Sequence, residues 1–446
     1  MTAWTAAQVA AALGVPAPVG QSFSGISTDT RALKAGDLFV ALQGERYDAH
    51  AFLTGARASG AAAAVVRHGT PPVDGLPLIE VGDTLNALGL LARARRQRLP
   101  SSAPVIAVTG SSGKTGTKEM IRAALGTRWR THATAGNLNN LVGVPLTILA
   151  AADDAGALVL EAGASVPGEI GRLRAIIEPT IAVITNVGYA HVEGFGSLEG
   201  VLREKLSLAE GVPLAVVGTE PPALAVGARR ITTTVVAGTA PAADVRPDAC
   251  ALDPEGRARL VWRGHAVTLP VAGLHQADNA MIALAVAGAA GADPASAVRA
   301  LADVRLPAGR GAVQRAGDLL VIDDTYNANP ESLRRALELA EWLAREQRRP
   351  LAVVVGSMLE LGPESDKLHA ALAAEIVARR PALVGAVGAF VPAFGAHRGG
   401  LGDRLVTAGD AETLGPALRA ALSGNEVVLL KASRGVALER VLRYLQ

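Results

Sequence analysis

The chain has 446 residues, half of them hydrophobic but only 3% aromatic, so its cores must be closely packed Ala, Val and Leu, spread over roughly two to four domains. With 43 Lys and Arg against 41 Asp and Glu the formal net charge is +2, which gives no basic footprint for nucleic acid. The single cysteine, Cys250, excludes an internal disulfide and suits a reducing cytosol.

Met1 to Gly14 lacks the positive start and apolar core of a signal peptide. The longest apolar run, Ala280 to Ala292, is short and rich in Ala and Gly, so it reads as a buried helix and not a membrane span. A soluble cytoplasmic enzyme is expected.

Residues 1–100 form a first unit. Trp4 to Leu13 has the spacing of a small amphipathic helix, and Gly25 to Arg31 is a polar turn after a short strand. Gly36 to Leu42 reads as a strand and Gln43 to His50 as a polar loop; helix Ala51 to Ser59 and strand Ala62 to Val66 continue an α/β pattern. Thr84 to Leu99 is a helix whose basic end, Arg93, Arg95, Arg96 and Arg98, complements the helix dipole. Pro100 to Pro104 is a linker.

A second unit, 101–307, opens on Val105-Ile106-Ala107-Val108-Thr109-Gly110-Ser111-Ser112-Gly113-Lys114-Thr115. A β-prone run ends in a Gly-rich turn, and Lys114-Thr115 starts a helix. Gly110 and Gly113 let backbone N–H groups converge on an anion, and the helix N-terminus adds partial positive charge. Lys114 can then reach terminal phosphates while the Thr115 hydroxyl ligates their magnesium. The loop is shorter than the common phosphate-loop pattern, and by itself an ordinary strand–turn–helix corner would fit it too.

Further on, Ala157 to Glu161 and Ile181 to Val187 read as buried strands, the first ending in a carboxylate and the second leading to His191. In a doubly wound parallel sheet such strand ends share the edge where ligands bind, so Glu161 and His191 are candidates for the nucleotide's magnesium. Surface solvation or a structural hydrogen bond is the plainer alternative for each. Ser197 caps a helix that places Lys205 on its apolar stripe, with Leu198, Val201, Leu202, Leu208 and Ala209. Either burial lowers the Lys205 pKa toward a reactive neutral amine, or the side chain snorkels to Glu204 or Glu193. Val212 to Pro270 reads as mostly short strands, and Gly273 to Asn279 precedes the Ala-rich helix.

The third unit, 308–446, restarts the α/β alternation. Leu319 to Asp324, Leu351 to Val355 and Val427 to Lys431 are strands, and Asn329-Pro330-Glu331 caps a helix from Ser332 to Glu346.

Taken together these residues resemble the Mur ligases, which build the peptide of bacterial cell-wall precursors. Thr109 to Thr115 looks like their ATP loop. Gly136-Asn137-Leu138-Asn139-Asn140, Ala190 to Ser197, Asp324 to Pro330 and Met358-Leu359-Glu360-Leu361-Gly362 resemble the dipeptide-adding branch in particular. Ser27 to Arg31 and Gly36 to Leu42 are similar to its uridine-nucleotide domain. The resemblance implies an α/β protein of three domains. A central doubly wound, P-loop ATPase-like domain would be flanked by an N-terminal uridine-nucleotide domain and a C-terminal Rossmann-like domain.

It implies an ATP-dependent, ADP-forming ligase that joins D-alanyl-D-alanine to UDP-N-acetylmuramoyl-tripeptide through an acyl phosphate, acting as a monomer. ATP contacts are implied at Thr109, Gly110, Ser111, Ser112, Gly113, Lys114, Thr115, Asn279, Arg310, Asp324, Tyr326 and Asn327. Acceptor contacts are implied at Ser27, Thr28, Arg31, Asn137, Asn139 and Asn140. Thr115 and Glu161 would hold one magnesium, and His191 with Lys205, as a carbamate, the second. The catalytic group is then Lys114, Glu161, His191 and Lys205. The sequence departs from the family pattern at Gln276, Ser357, Ala432, Ala162 and Ser165. Folylpolyglutamate synthase-like ligases share the ATP domain, but the uridine-type N-terminal unit argues against them. The five site residues Lys114, Thr115, Glu161, His191 and Lys205 disfavour a nucleotide-binding scaffold without turnover. A GTPase is disfavoured by the lack of Asn-Lys-x-Asp after a strand.

Overall fold

In the computed structural model, residues 3–16, 20–44 and 47–445 are described. Glu45 and Arg46 of the predicted polar loop, and Met1 and Thr2 of the N-terminal stretch, lie outside them. By compactness the chain divides into two units, one of Met1–Ala107, Arg128–Ala164 and Gly168–Ile181, the other of Val108–Thr127, Ser165–Pro167 and Ala182–Gln446. This cut follows packing, not chain order, and the strand Val105–Thr109 straddles it.

The first unit contains a four-stranded parallel sheet, Ile26–Ser27, Leu38–Val40, Ala63–Arg67 and Leu78–Val81 in that order. Its inner strands read as continuous apolar runs because both faces are covered. Phe39, Ala41, Leu53, Ala56, Ala64, Val66 and Leu76 make one core. Helix Ala6–Leu13 begins at a Thr5–Gln8 capping box and ends at left-handed Gly14.

The basic end of helix Thr84–Arg96 does more than complement a dipole. Arg95, only 2% exposed, donates to the Ala151 carbonyl at 2.8 Å and pairs with Asp153. Arg96 donates to the carbonyls of Ile177 and Glu178, and Arg98 stacks on Trp4 at 3.8 Å. These arginines tie distant loops to the helix, so their burial is offset by hydrogen bonds to groups that would otherwise lack them.

In the second unit, helix Lys114–Leu125 packs against helix His275–Ala290. The latter includes the predicted apolar run as far as Ala290 and is buried along most of its length. It starts earlier than expected, so Gln276 and Asn279 lie in its first turns and not in a preceding loop. The region expected as short strands holds Leu214–Val217, Thr233–Val236, Ala249–Leu252, Arg257–Trp262 and His265–Ala272. It also contains a helix, Pro222–Arg229, that the small Ala- and Gly-rich side chains did not signal.

The C-terminal sheet runs Ala312–Ala316, Leu319–Asp324, Val427–Lys431, Leu351–Val355, Leu383–Val387, Leu405–Ala408, and is parallel except at its first strand. Helix Pro330–Glu346 contributes Leu333, Leu337 and Leu343 to the core on one face, and helix Ala411–Ala421 contributes Leu414 and Leu418 on the other. Asn329 caps Pro330–Glu346 as predicted, with the helix starting at Pro330 itself. Among the described residues no helix is long and apolar enough to cross a membrane.

Candidate active site

The phosphate loop is shaped by the residues under it. Gly110 has φ +150° and Gly113 φ +78°; a Cβ at Gly110 would overlap Thr185 Oγ1, and one at Gly113 would lie 2.7 Å from Asn279 Oδ1. Only glycine meets both demands. The Ser111 N–H donates to the Asn186 carbonyl and the Ser112 N–H to Asn186 Oδ1, both at 3.0 Å, while Thr185 Oγ1 donates to the Ser112 carbonyl at 2.6 Å. Thr185 and Asn186, just past strand Ile181–Ile184, therefore hold the loop in its curve.

Helix Lys114–Leu125 has Gly113 at its cap and no side-chain acceptor there, the arrangement of an anion-binding N-terminus. Lys114 Nζ donates to the Gly110 carbonyl at 2.7 Å, folded across the loop. Thr115 is buried in the first turn.

Asn279 sits beneath this turn. Its Oδ1 accepts from Thr117 Oγ1 at 3.2 Å, and its Nδ2 donates to Gln276 Oε1 at 3.0 Å. The departure at Gln276 thus has a place, since its amide satisfies the buried Asn279. Ser357 is also structural, its Oγ accepting the Ala389 N–H at 2.8 Å.

Lys205 is 2% exposed, so it does not snorkel. Burial, then the neighbouring Lys114 charge, pull its pKa from 10.5 to about 7, against the opposing effect of Glu204. A substantial neutral fraction at neutral pH follows.

His191 has φ +58° and its Nδ1 lies 2.5 Å from Glu360 Oε2, with the ring N–H out of line with the carboxylate. The imidazole beside it holds the Glu360 carboxyl below the usual range. Arg310 stacks on the Tyr326 ring at 3.8 Å with its Nε buried and unpartnered. Asp324 is paired with the buried Lys431 at 2.5 Å, which also donates to the Asn327 carbonyl at 3.0 Å. The parallel register sets Asp324 directly opposite Lys431, a pairing that only the strand order reveals. Two residues of the helix cap reach beyond it. Asn329 Nδ2 donates to the Ser111 carbonyl at 3.3 Å, and Glu331 Oε2 accepts the Tyr189 N–H at 3.2 Å.

Thr109 is buried at the end of strand Val105–Thr109, and the other predicted residues lie in the first unit. Glu161, buried at the end of strand Ala157–Glu161, receives the Thr134 hydroxyl oxygen as acceptor for its own N–H at 2.9 Å. The Asn139 N–H donates to the Asn137 carbonyl at 2.8 Å, and the Asn139 carbonyl accepts the Gly163 N–H at 2.8 Å. Asn140 Oδ1 accepts the Gly143 N–H at 2.8 Å. Ser27 Oγ donates to the Asp29 carbonyl at 3.0 Å, Thr28 is half-buried, and exposed Arg31 clasps Asp29. Among the described residues no group of three or more His, Cys, Asp or Glu could hold a metal ion.

Three family models match in sequence: the Mur ligase family catalytic domain over residues 22–96, the Mur ligase middle domain over 108–287, and the Mur ligase glutamate ligase domain over 309–434. The chain is 37% identical over 430 residues to the UDP-N-acetylmuramoyl-tripeptide–D-alanyl-D-alanine ligase of Bacillus subtilis, covering 94% of this chain and 92% of that protein. With the enzyme of the same name from Escherichia coli it is 35% identical over 436 residues, covering 94% and 93%. A crystal structure of MurF from Acinetobacter baumannii matches with a TM-score of 0.90 at 32% identity, over 100% of this chain and 99% of that one. MurF ligase from Thermotoga maritima in complex with ADP matches with a TM-score of 0.82 at 30% identity, over 94% and 96%. The chain belongs to the Mur ligase family, with its three-domain α/β fold, in the branch of the UDP-N-acetylmuramoyl-tripeptide–D-alanyl-D-alanine ligases.

Proposed function

We propose that this chain joins D-alanyl-D-alanine to UDP-N-acetylmuramoyl-tripeptide with hydrolysis of ATP to ADP, giving the UDP-muramoyl-pentapeptide used in peptidoglycan synthesis. The terminal carboxylate of the tripeptide attacks the γ-phosphorus, and the bond to the ADP oxygen breaks. The dipeptide amine then adds to the acyl phosphate carbonyl; the C–N bond forms, the C–O bond to phosphate breaks, and the amine loses its proton. Lys114 and the backbone N–H groups that open helix Lys114–Leu125 hold the terminal phosphates and stabilise charge developing on them. Arg310 contacts phosphate with its planar fork, and Tyr326, Asn327 and Asn279 border the nucleotide. Ser27, Thr28, Arg31, Asn137, Asn139 and Asn140 bind the acceptor. The matched intervals support a division into a uridine-nucleotide domain over 1–100, an ATP domain over 101–307 and a C-terminal domain over 308–446.

The observation that carries this reading is the buried Lys205 within the electrostatic influence of Lys114. As an ammonium it would repel a cation; as a neutral amine it can take up carbon dioxide, release a proton and present carbamate oxygens. Within the second unit the donors then suit a hard cation, since Thr115 and carbamylated Lys205 offer oxygen and His191 offers nitrogen. His191 with Lys205 would hold one magnesium, and Thr115 offers its hydroxyl to another. Magnesium, when bound, offsets the repulsion between carboxylate and phosphate.

The test is phosphate release from ATP in the presence of magnesium and UDP-muramoyl-tripeptide, with and without D-alanyl-D-alanine. Release that needs both substrates is expected; release indifferent to the dipeptide would overturn the reading.

A further inference from the structure

We infer that Glu360 is the positioning residue for His191. The inference rests on the proposed function, which places His191 at the nucleotide.

Two short loops meet here. Glu360 Oε2 reaches His191 Nδ1, and the Glu360 carbonyl accepts the Glu193 N–H at 3.3 Å. Gly362, at φ +57°, completes the fit, because a Cβ there would press to 3.2 Å from Glu193 Cα. Both partners are held in the left-handed region, His191 at φ +58° and Glu360 at φ +63°. Residues with a Cβ seldom stay there unless their surroundings over-determine it, and such strain gathers at working sites.

The Glu360 loop is also fixed from behind. His369, 1% exposed, accepts the Met358 N–H on Nε2 at 3.0 Å and donates from Nδ1 to the Ser365 carbonyl at 2.7 Å. The Met358 donor leaves only the Nδ1-protonated neutral tautomer for His369. Ser433 Oγ accepts the Leu359 N–H at 2.9 Å, and the Ser433 N–H donates to the Ser357 carbonyl at 3.0 Å. Glu360 is therefore delivered to His191 on a rigid mount.

A carboxylate against Nδ1 fixes the proton on that nitrogen and leaves Nε2 with its lone pair, the form that can serve a metal. The pair is close but out of line here, as catalytic hydrogen bonds often are before substrates tighten them.

The test uses full-length Glu360→Ala, Glu360→Gln and His191→Gln. Glu360→Ala should lower kcat about 10–100-fold, the usual effect of removing such an outer partner, with the KM for ATP little changed. Glu360→Gln keeps an acceptor oxygen and should recover most of that loss. Independently of activity, 15N-histidine spectra, with the His191 signals assigned by their loss in His191→Gln, should show the His191 ring protonated on Nδ1 in the wild type and in mixed tautomers in Glu360→Ala. Unchanged His191 signals in Glu360→Ala would overturn the inference, as would wild-type kcat in that variant. A lowered melting temperature with unaltered ring signals would overturn it too, by showing a merely structural contact. If the wild type shows no dipeptide-dependent phosphate release, the proposed function fails, while the ring spectra still decide the pairing.

Discussion

Asn329 donates from Nδ2 to the Ser111 carbonyl of the phosphate loop at 3.3 Å, while its Oδ1 accepts the Ser332 N–H at 2.8 Å to cap helix Pro330–Glu346. One side chain thus joins the start of a C-terminal helix to the loop that is proposed to hold ATP. The two roles separate by mutation. Asn329→Ala loses both and should cost about 1 kcal/mol of stability in denaturant unfolding, with turnover reduced. Asn329→Asp keeps the cap but loses the donor, so stability should stay near wild type while turnover falls roughly tenfold, the worth of about one hydrogen bond. Wild-type turnover in Asn329→Asp would show that the link to Ser111 is incidental.

Lys114→Ala should lower turnover by roughly 100–1,000-fold, because it removes a charge aimed at the transferring phosphoryl group. Steady-state phosphate release measures it. Near-normal turnover would contradict the assignment of the loop.

Lys205→Ala should be nearly inactive and partly restored by added short-chain carboxylates, which supply the missing oxygen ligand. Intact activity without additive would leave the lysine a structural residue. Mass spectrometry after chemical trapping of the carbamate should find the modification on Lys205 in the wild type.

The same lysine makes stability depend on pH with a definite sign. Burial disfavours its ammonium form in the folded chain, so the penalty is fully present below about pH 7. Between about 7 and the ordinary value of 10.5 the unfolded chain binds the extra proton, and stability rises with pH. The increment is at most about 1.4 kcal/mol per pH unit. Denaturant midpoints at pH 7, 8 and 9 in carbon dioxide-free buffer should rise for the wild type and less steeply for Lys205→Met. Equal slopes would remove Lys205 as the cause.

The parts legible in the sequence were those written in local pattern. Four β-prone residues before Gly110, and Lys114-Thr115 after Gly113, define strand, turn and helix within a dozen positions, and the structure has them. Helical spacing put Lys205 on an apolar stripe, and it is buried. What was hidden depends on partners far along the chain. Ser111 and Asn329 are 218 residues apart, and Asp324 and Lys431 are 107 apart. No periodicity announces a contact set by strand order. The start of helix His275–Ala290 was missed because its first turns are polar, Gln276 and Asn279 being turned to the buried network under the loop. The arginines after Leu91 looked like a dipole-complementing end because their carbonyl partners at Ala151 and Ile177 come from other elements.

Whether the amine donor is a dipeptide is decided by kcat/KM for D-alanyl-D-alanine, D-alanine, L-glutamate and a diamino acid under the same acceptor and ATP. A dipeptide offers a peptide group and a distal carboxylate that position its amine against the acyl phosphate, so truncation should lower turnover as well as affinity. D-Alanyl-D-alanine should exceed every single amino acid by orders of magnitude; a single amino acid used equally well would overturn the dipeptide assignment.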